Sequence, residues 1–409
     1  MNNTPTIDYS WDFKGIKKEG VHTLGHYPAT MVAPMQLRLL EKWKTNDEQI
    51  MLDPFMGSGT ALIEAQKLGL QTIGIDINPY AVLLSQVKTH NYQQISWKTV
   101  IKRITKKLNS DEYARPLWNF EKIEKWFRPD IIESLSHVRN VIASEKDRWV
   151  RKFLWICMSD IIYTHSNDRT STFKLHVKEP PQIERISNNV TEAFLNLAAK
   201  KQKYLNNEFL PKCTIYSGDA KKICFKLPAE SVDIICSSPP YGENATTVTY
   251  GQASILFLKW IDPRDLEDSD NLLENFSKID SKSLGGNSAS DSEYSSKALN
   301  DFLSSINVSK QRKVRRFFSD YWLISKELAR LLKPSGVLLY TVGNRKVDDI
   351  RQPLDKITVE MFESLGLEEV EQHTRNIFSK KMPSQLSRVH DSKPVKSMHK
   401  ENILVFRKS

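Results

Sequence analysis

One segment, residues 50 to 65, constrains the fold of this chain more than any other. It begins with three apolar residues, continues into a turn that contains two glycines, and ends in helix-forming residues. Glycine permits a tight turn and lets the backbone come close to a ligand. In open α/β folds, a strand, a glycine-rich turn and a helix in this order place a ligand at the carboxyl end of a parallel strand. The segment therefore predicts an α/β protein with a ligand site at this turn.

The glycine-rich turn differs from the loops that bind phosphate groups. Its sequence, residues 53 to 60, is Asp-Pro-Phe-Met-Gly-Ser-Gly-Thr. It has no lysine of the Walker type, and the three-glycine pattern of dinucleotide-binding proteins is incomplete. The turn is therefore suited to a ligand that has no phosphate chain.

Three further strand-like segments also end in polar residues. Residues 72–76 end in Asp76, residues 213–218 lead to Asp219, and the apolar residues 232–236 lead to Ser238. A carboxylate after the second strand of a nucleotide-binding fold can accept hydrogen bonds from ribose hydroxyls. The four strand ends follow one another along the chain, and each carries a suitable polar group. Their order predicts one shared site.

The last of these strands runs into Ser238-Pro239-Pro240-Tyr241. Proline fixes φ and has no N–H, so the backbone after the strand is stiff and its carbonyls are free to accept hydrogen bonds. The turn thus combines a hydroxyl, a free carbonyl and an aromatic face. This combination suits a flat ring that bears an exocyclic amine.

Together the two motifs resemble those of the DNA amino-methyltransferases, which methylate cytosine N4 or adenine N6 with S-adenosylmethionine. The resemblance implies a Rossmann-like α/β fold with a seven-stranded, mostly parallel sheet and a helical insertion. It implies that catalysis involves Ser238, Pro239, Pro240 and Tyr241. S-adenosylmethionine would be bound by Asp53, Phe55, Gly57, Gly59, Thr60, Asp76 and Asp219. In such enzymes a segment like His26-Tyr27-Pro28 supports the methionine end of the cofactor.

Each of these residues also has an ordinary structural interpretation. Asp53 and Asp76 are compatible with turn chemistry, and Asp219 with a helix N-cap. The prolines at positions 239 and 240 are compatible with a simple strand end. These interpretations leave the order of the motifs unexplained, so the functional interpretation is preferred.

The expected reaction is a direct transfer of a methyl group to the exocyclic amine of a base that is flipped out of the duplex. Ser238 and the Pro239 carbonyl would accept the amine hydrogens, and Tyr241 would stack on the base. In the resembling family, serine at the first position is typical of cytosine-N4 enzymes and aspartate of adenine-N6 enzymes. We therefore expect cytosine N4, with adenine N6 as the alternative and an RNA or protein substrate as a further one. Cys236 is expected in the core.

The formal net charge of +10 is compatible with double-stranded DNA as the partner. The candidate substrate contacts are Asn244, Tyr250, Arg169, Lys174, Arg315 and Arg316. For the charged ones the alternative is a solvated connector or helix face. The resemblance also implies a restriction-modification system with a cognate restriction endonuclease. The cofactor half precedes the catalytic half, the opposite of the order common with this glycine motif, so the subgroup stays open.

The sequence predicts five successive parts. Residues 1–90 form an N-terminal segment and the cofactor-binding half, and residues 91–212 form a helical insertion that is a candidate for target recognition. Residues 213–265 form the catalytic half, residues 266–309 a polar, mobile insertion, and residues 310–409 the rest of the sheet. The four scattered cysteines indicate neither a metal site nor disulfides. With no apolar signal core and no long apolar segment, we expect a cytoplasmic protein without a membrane partner.

Overall fold

The computed structural model describes residues 9–170, 174–205, 208, 210–242, 248–268, 271–275, 277–286, 294–377 and 398–409. Its strands are β1 Ile50–Asp53, β2 Gln71–Asp76, β3 Cys213–Ser217, β4 Val232–Ser237, β5 Leu332–Val342, β6 Lys346–Val347, β7 Ile350–Arg351, β8 Leu367–Asn376 and β9 Lys400–Lys408. Seven of them form one sheet in the order β3-β2-β1-β4-β5-β9-β8, and β6 and β7 form a separate hairpin.

The helices are α1 Ala33–Trp43, α2 Thr60–Lys67, α3 Pro79–Thr89, α4 Trp97–Leu108, α5 Ile123–Trp126, α6 Pro129–Ala143, α7 Arg148–His165, α8 Pro180–Glu184, α9 Val190–Lys201, α10 Ala220–Lys226, α11 Tyr250–Trp260, α12 Ser277–Lys282, α13 Lys297–Ser305, α14 Val308–Leu331 and α15 Leu354–Glu363. Across the described ranges, none of these helices has the length and apolar character needed to cross a membrane.

The sheet is mostly parallel, as predicted. The strands β3, β2, β1, β4 and β5 are parallel to one another, whereas β9 is antiparallel to both β5 and β8. Strands β1 to β4 lie at the four strand-like segments of the sequence, and β5, β8 and β9 lie within residues 310–409, which were expected to form the rest of the sheet. The chain is therefore an α/β protein with a seven-stranded sheet.

Strand β5 is irregular near its start. It begins at Leu332, directly after α14. Val232 pairs with Leu332 and Ile234 with Val337, so the pairing register shifts between them. This irregularity accommodates a proline and Ser335, whose φ is +60°. Proline is tolerated in a strand at such a bulge because its missing N–H is not needed there.

Helices cover both faces of the sheet. Met51 contributes to a core with α1 and α2, whereas the next residue, Leu52, contributes to a core with α14 and α15. Likewise, Ile234 contributes to the core with α1 and α2, and Ile235 to the core with α14 and α15. This alternation follows from strand geometry, in which successive side chains point to opposite faces. Burial on both faces explains why the sequence of β4 is almost continuously apolar.

The helical insertion shares a core with the helices of the sheet. Trp155 of α7 is fully buried, and the tryptophans at positions 118, 126 and 149 pack partly buried against the same cluster. The cluster continues into Leu84 of α3 and Phe257 of α11. The insertion therefore packs against α3 and α11.

The segment 266–309, which the sequence predicted to be polar and mobile, contributes to the cores in its described part. Ile279 of α12 is buried in the insertion core. Leu299, Phe302 and Leu303 of α13 are buried against α14 and α15. These residues are spaced so that they form one apolar face of the helix. The average composition of the segment is polar and does not indicate this face. The described part of the segment therefore includes buried apolar residues, and its mobility stays a prediction.

Candidate active site

A cavity of about 860 Å³ opens at the carboxyl ends of the parallel strands. Its wall includes Phe55 and Gly57 from the turn after β1, and Asp76 from the end of β2. Ser238 and Tyr241, from the turn after β4, also line it. Two motifs that lie far apart in the sequence therefore face one cavity, as the order of the strand ends predicted.

The glycine-rich turn requires both of its glycines. Gly57 and Gly59 have φ values of +48° and +75°, which side chains with a Cβ rarely adopt. A Cβ on Gly57 would lie 3.1 Å from the Tyr27 ring, and one on Gly59 would lie 2.8 Å from Ser85 Oγ. The Ser85 hydroxyl donates a hydrogen bond to the Gly57 carbonyl at 3.0 Å. The turn is thus held closely between α3 and the N-terminal segment.

Asp76 connects the end of β2 to this turn. Its carboxylate accepts hydrogen bonds from the backbone N–H groups of Gly57 at 2.9 Å and Asn78 at 2.8 Å. Burial raises its pKa to about 6, although those hydrogen bonds oppose the shift. The carboxylate also lines the cavity. Since each carboxylate oxygen can accept more than one hydrogen bond, Asp76 can still accept from ligand hydroxyls.

Asp53 does not line the cavity, which differs from the predicted cofactor contact. It is completely buried and accepts hydrogen bonds from Ser237 Oγ at 2.6 Å and from the Phe55 N–H at 3.1 Å. Its second oxygen, Oδ2, has no hydrogen-bond partner among the described residues. Burial raises the pKa of Asp53 to about 7. Its role in the structure is to join the ends of β1 and β4 beneath the site.

Most of the other predicted cofactor residues line the cavity, and one lies behind its wall. The cavity is lined by Phe55, Gly57, Thr60, Asp76 and Asp219. Gly59 is not among the lining residues and instead is the N-cap residue of α2. Asp219 also caps α10, because its carboxylate accepts a hydrogen bond from the Lys221 N–H at 2.9 Å. Asp219 therefore caps α10 and also lines the cavity, and its contact with the cofactor stays a prediction.

All four residues of the catalytic motif line the cavity. Ser238 Oγ lies 3.1 Å from the Tyr241 hydroxyl, which donates a hydrogen bond to Glu401 Oε1 at 3.1 Å. Burial, and then the neighbouring Glu401, raise the pKa of Tyr241 well above its ordinary value. The tyrosine therefore stays protonated at neutral pH.

Cys236 is fully buried on β4, as predicted. Its thiol donates a hydrogen bond to Gln36 Oε1 at 3.0 Å, and burial raises the thiol pKa well above its ordinary value. A thiolate is the nucleophilic form of cysteine. Cys236 is therefore unsuited to nucleophilic attack on a base.

Aromatic side chains form another part of the wall. Tyr250, the first residue of α11, stacks on Tyr27 with 5.5 Å between the ring centroids. His26 stacks on Tyr163 at 3.9 Å, and its Nε2 lies 3.5 Å from Asp160. All four rings belong to residues that line the cavity. Such a wall can contact the faces of a flat ring.

The predicted substrate contacts have different outcomes. Tyr250 and Lys174 line the cavity, and Asn244 lies outside the described residues. The three arginines among the predicted contacts do not line the cavity. Arg169 forms an exposed ion pair with Glu179 at 3.2 Å, Arg316 donates to the Gly286 carbonyl, and Arg315 is exposed on α14. Contact of the arginines with DNA outside the cavity stays a prediction.

Sequence reasoning missed the residues that β8 and β9 contribute to the cavity. Arg375 and Glu401 line it and face each other in the antiparallel pairing of the two strands. Neither residue belongs to a motif, and Glu401 lies 160 positions from its partner Tyr241. Only the folding of the sheet brings them together, so the sequence carried no local signal for them.

The sheet, with the glycine-rich turn and the Ser-Pro-Pro-Tyr turn on one cavity, resembles that of S-adenosylmethionine-dependent methyltransferases. A family model described as DNA methylase, of the N6/N4 type, matches residues 2–87. The type II methyltransferase M.MvaI of Kocuria varians is 29% identical over 399 residues, which are 90% of this chain and 87% of that protein. Over these extents the chain is similar to DNA methyltransferases of the N6/N4 type.

Two further similarities cover different extents. The type II methyltransferase M.MjaII of Methanocaldococcus jannaschii is 30% identical over 118 residues, which are 27% of this chain and 22% of that protein. A solved SAM-dependent methyltransferase from Methanosarcina mazei is 10% identical and covers 94% of this chain and 99% of its own, with a TM-score of 0.35. The first similarity is limited to about a quarter of the chain.

Proposed function

We propose that this enzyme methylates cytosine N4 at a specific site in double-stranded DNA and is the modification enzyme of a restriction-modification system. The observation that carries the proposal is the Ser238-to-Tyr241 turn, which faces the same cavity as Gly57 and Asp76. The proposed amine acceptors would therefore share one cavity with the proposed cofactor-binding groups. Adenine N6 is the alternative target, because the same turn chemistry serves both exocyclic amines.

The described residues suit S-adenosylmethionine. Gly57 lets the backbone approach a ligand, and the Asp76 carboxylate can accept hydrogen bonds from ribose hydroxyls. Asp219, at the end of the neighbouring strand β3, would lie towards the adenine ring, and the Phe55 ring towards the sulfonium. When bound, this cofactor supplies a methyl group on a positively charged sulfur.

The catalytic turn would make the target amine a better nucleophile. The amine lone pair is delocalised into the base ring, so the nitrogen is planar and weakly nucleophilic. Acceptors on its hydrogens, at Ser238 Oγ and the Pro239 carbonyl, would favour a more tetrahedral nitrogen. Catalysis would then depend on positioning and electrostatics. The target base would have to leave the duplex to reach the cavity.

The position of Cys236 favours the amine over carbon 5 of cytosine as the target. Methylation at carbon 5 requires a cysteine nucleophile beside the base. Cys236 is buried and hydrogen-bonded to Gln36, and it does not line the cavity. Serine at position 238 further supports cytosine N4 over adenine N6, since the resembling adenine enzymes more often carry aspartate there.

Two similarities support a role in restriction-modification. Both M.MvaI and M.MjaII are type II methyltransferases, and the first is similar over 90% of this chain. We infer that methylation by this protein protects a short DNA site from a cognate endonuclease. Purified DNA methylated by the protein should therefore resist that endonuclease.

The test is mass spectrometry of nucleosides from unmethylated DNA of varied sequence, incubated with the protein and S-adenosylmethionine. We expect N4-methylcytosine. N6-methyladenine would keep the enzyme class and replace the assigned base. Absence of any methylated nucleoside would contradict the proposal and favour an RNA or protein substrate. A Ser238→Ala variant, purified in parallel, controls for a contaminating host methyltransferase.

A further inference from the structure

We propose that Glu401 and Arg375 are positioning residues that fix the direction of the hydrogen bond between Ser238 and Tyr241. In this arrangement Ser238 faces the target amine as a hydrogen-bond acceptor. The four residues form a hydrogen-bond relay that begins at the catalytic turn and ends on β8. The inference rests on the proposed methylation of an exocyclic amine and assigns roles to residues outside the recognised motifs.

The relay consists of three direct contacts. Ser238 Oγ and Tyr241 Oη are 3.1 Å apart, and Tyr241 Oη donates to Glu401 Oε1 at 3.1 Å. Arg375 Nη1 donates to the other carboxylate oxygen, Glu401 Oε2, at 3.0 Å. All four residues line the cavity. The relay is therefore part of the wall that a target base would meet.

Strand pairing holds the far end of the relay in place. Arg375 and Glu401 are opposite each other in the antiparallel ladder of β8 and β9, so their side chains lie on the same face. The Arg375 side chain is 6% exposed, and it also contacts Met35 Sδ and the Asp12 carbonyl. Its guanidinium is thus fixed from several sides, and it fixes the carboxylate of Glu401 in turn.

The direction of the relay follows from a count of protons. The carboxylate of Glu401, paired with a guanidinium, only accepts hydrogen bonds. Tyr241 has one hydroxyl proton, and the raised pKa of its phenol means that the proton is present. That proton points to Glu401, so Tyr241 Oη can only accept from Ser238. The single Ser238 proton is then used, and the lone pairs of its Oγ are left for the amine.

Without Glu401, the hydrogen bond between Ser238 and Tyr241 can reverse its direction. Tyr241 could then donate its proton to Ser238, whose own hydrogen would rotate towards the cavity. A hydroxyl hydrogen facing an amine hydrogen places two donors together, and the amine would lose an acceptor. A role limited to stacking makes the opposite prediction, because a phenylalanine ring would stack as well as a tyrosine ring does.

The experiment uses the full-length protein with Tyr241→Phe, Glu401→Gln and the double variant. Single-turnover methyl transfer to DNA gives the chemical rate, and calorimetry gives the dissociation constant for S-adenosylmethionine. We expect each single variant to lower the rate about tenfold, which is the effect expected from the loss of one hydrogen bond. The double variant should lose little more than either single variant, because both interrupt the same relay. Cofactor affinity should stay within about twofold.

Two matched controls separate the relay from general damage. Glu371→Gln removes a carboxylate of β8 that is 16% exposed, against 17% for Glu401, and that also forms an ion pair but does not line the cavity. Tyr340→Phe removes a buried hydroxyl that has no hydrogen-bond partner among the described residues. Both controls should keep the wild-type rate within about twofold.

The outcomes distinguish the relay from the proposed function. If the wild-type protein methylates DNA and Tyr241→Phe does so at the same rate, the relay would be wrong and the proposed function would stand. Additive losses in the double variant would also overturn it, even if Glu401→Gln proved less stable. If the wild-type protein transferred no methyl group to DNA, the proposed function would be wrong, and the relay with it.

Discussion

The carboxylate of Asp76 accepts a hydrogen bond from the backbone N–H of Gly57, with 2.9 Å between Oδ2 and N. The bond joins the end of β2 to the turn after β1. The same carboxylate also faces the cavity. One side chain therefore shapes the glycine-rich turn and presents an acceptor to the ligand, so a change at Asp76 affects both functions.

Replacing this carboxylate with an amide should weaken cofactor binding. In Asp76→Asn one oxygen becomes an NH₂ group, which cannot accept from the Gly57 N–H or from a ribose hydroxyl. We expect the dissociation constant for S-adenosylmethionine, measured by calorimetry, to rise about 10- to 100-fold, as for lost hydrogen bonds to a charged group. Asp233→Asn is the control, since Asp233 accepts from the Ile50 N–H at 2.9 Å outside the cavity. Unchanged affinity in Asp76→Asn would remove Asp76 from the site.

Cofactor affinity should also depend on pH. Burial raises the pKa of Asp76 to about 6, so the carboxylate is ionised above that pH and protonated below it. Only the ionised form keeps all of its acceptor sites. We expect the dissociation constant to be constant from pH 7 to 8 and to rise up to about tenfold between pH 6 and pH 5. In Asp76→Asn this rise should disappear, and an identical pH profile in the variant would assign the titration to another group.

The sheet could be predicted from sequence because its signals are local. A buried parallel strand needs a short apolar run, and β1, β2 and β4 each show one that ends at a glycine or proline turn. The start of β5 could not be predicted in the same way. A proline and Ser335 indicate a turn, and only the pairing with β4 across the register shift makes this segment part of a strand.

The site could be predicted only where its residues belong to motifs. The sequence identified Asp53 as part of the glycine-rich turn, but it could not show that the side chain points beneath the turn to Ser237. Arg375 and Glu401 were missed because strand pairing, rather than sequence proximity, brings them to Tyr241. Motifs therefore located the cavity, whereas the support behind the catalytic turn required the three-dimensional structure.

The close contact of Gly59 with Ser85 should make an alanine costly there. Gly59→Ala would combine a left-handed φ of +75° with a Cβ 2.8 Å from Ser85 Oγ. Ser85 also donates to the Gly57 carbonyl, so its displacement would disturb the turn. We expect a loss of about 2 kcal/mol or more in the free energy of unfolding, measured with urea, and weaker cofactor binding.

Gly366→Ala isolates the effect of backbone strain. Gly366 has a similar φ of +83°, but no atom lies within 4 Å of the position that a Cβ would take there. The strain alone should cost about 1 kcal/mol, with unchanged cofactor affinity. Equal effects of the two alanines on stability and on binding would show that the contact with Ser85 has no role in the turn.

The buried carboxyl group of Asp53 should make stability fall as pH rises. Its pKa in the folded protein is about 7, above the ordinary value of 3.8, because burial disfavours the charged form. The folded state therefore binds this proton more tightly than the unfolded state does. The resulting stability is fully present below about pH 4 and is lost as the pH rises through 7. Asp53→Asn removes the titration and keeps an oxygen that can accept from Ser237 and from the Phe55 N–H.

Urea unfolding of the wild type and of Asp53→Asn at pH 5 and pH 8 measures this contribution. Between these pH values the wild type should lose roughly 2–3 kcal/mol more than the variant, since each pKa unit corresponds to about 1.4 kcal/mol. Because Asp53 does not line the cavity, cofactor affinity at pH 8 should change less than about threefold. Parallel pH profiles would mean that Asp53 is ionised in the folded protein. A large loss of affinity without a loss of stability would instead make it a direct cofactor ligand.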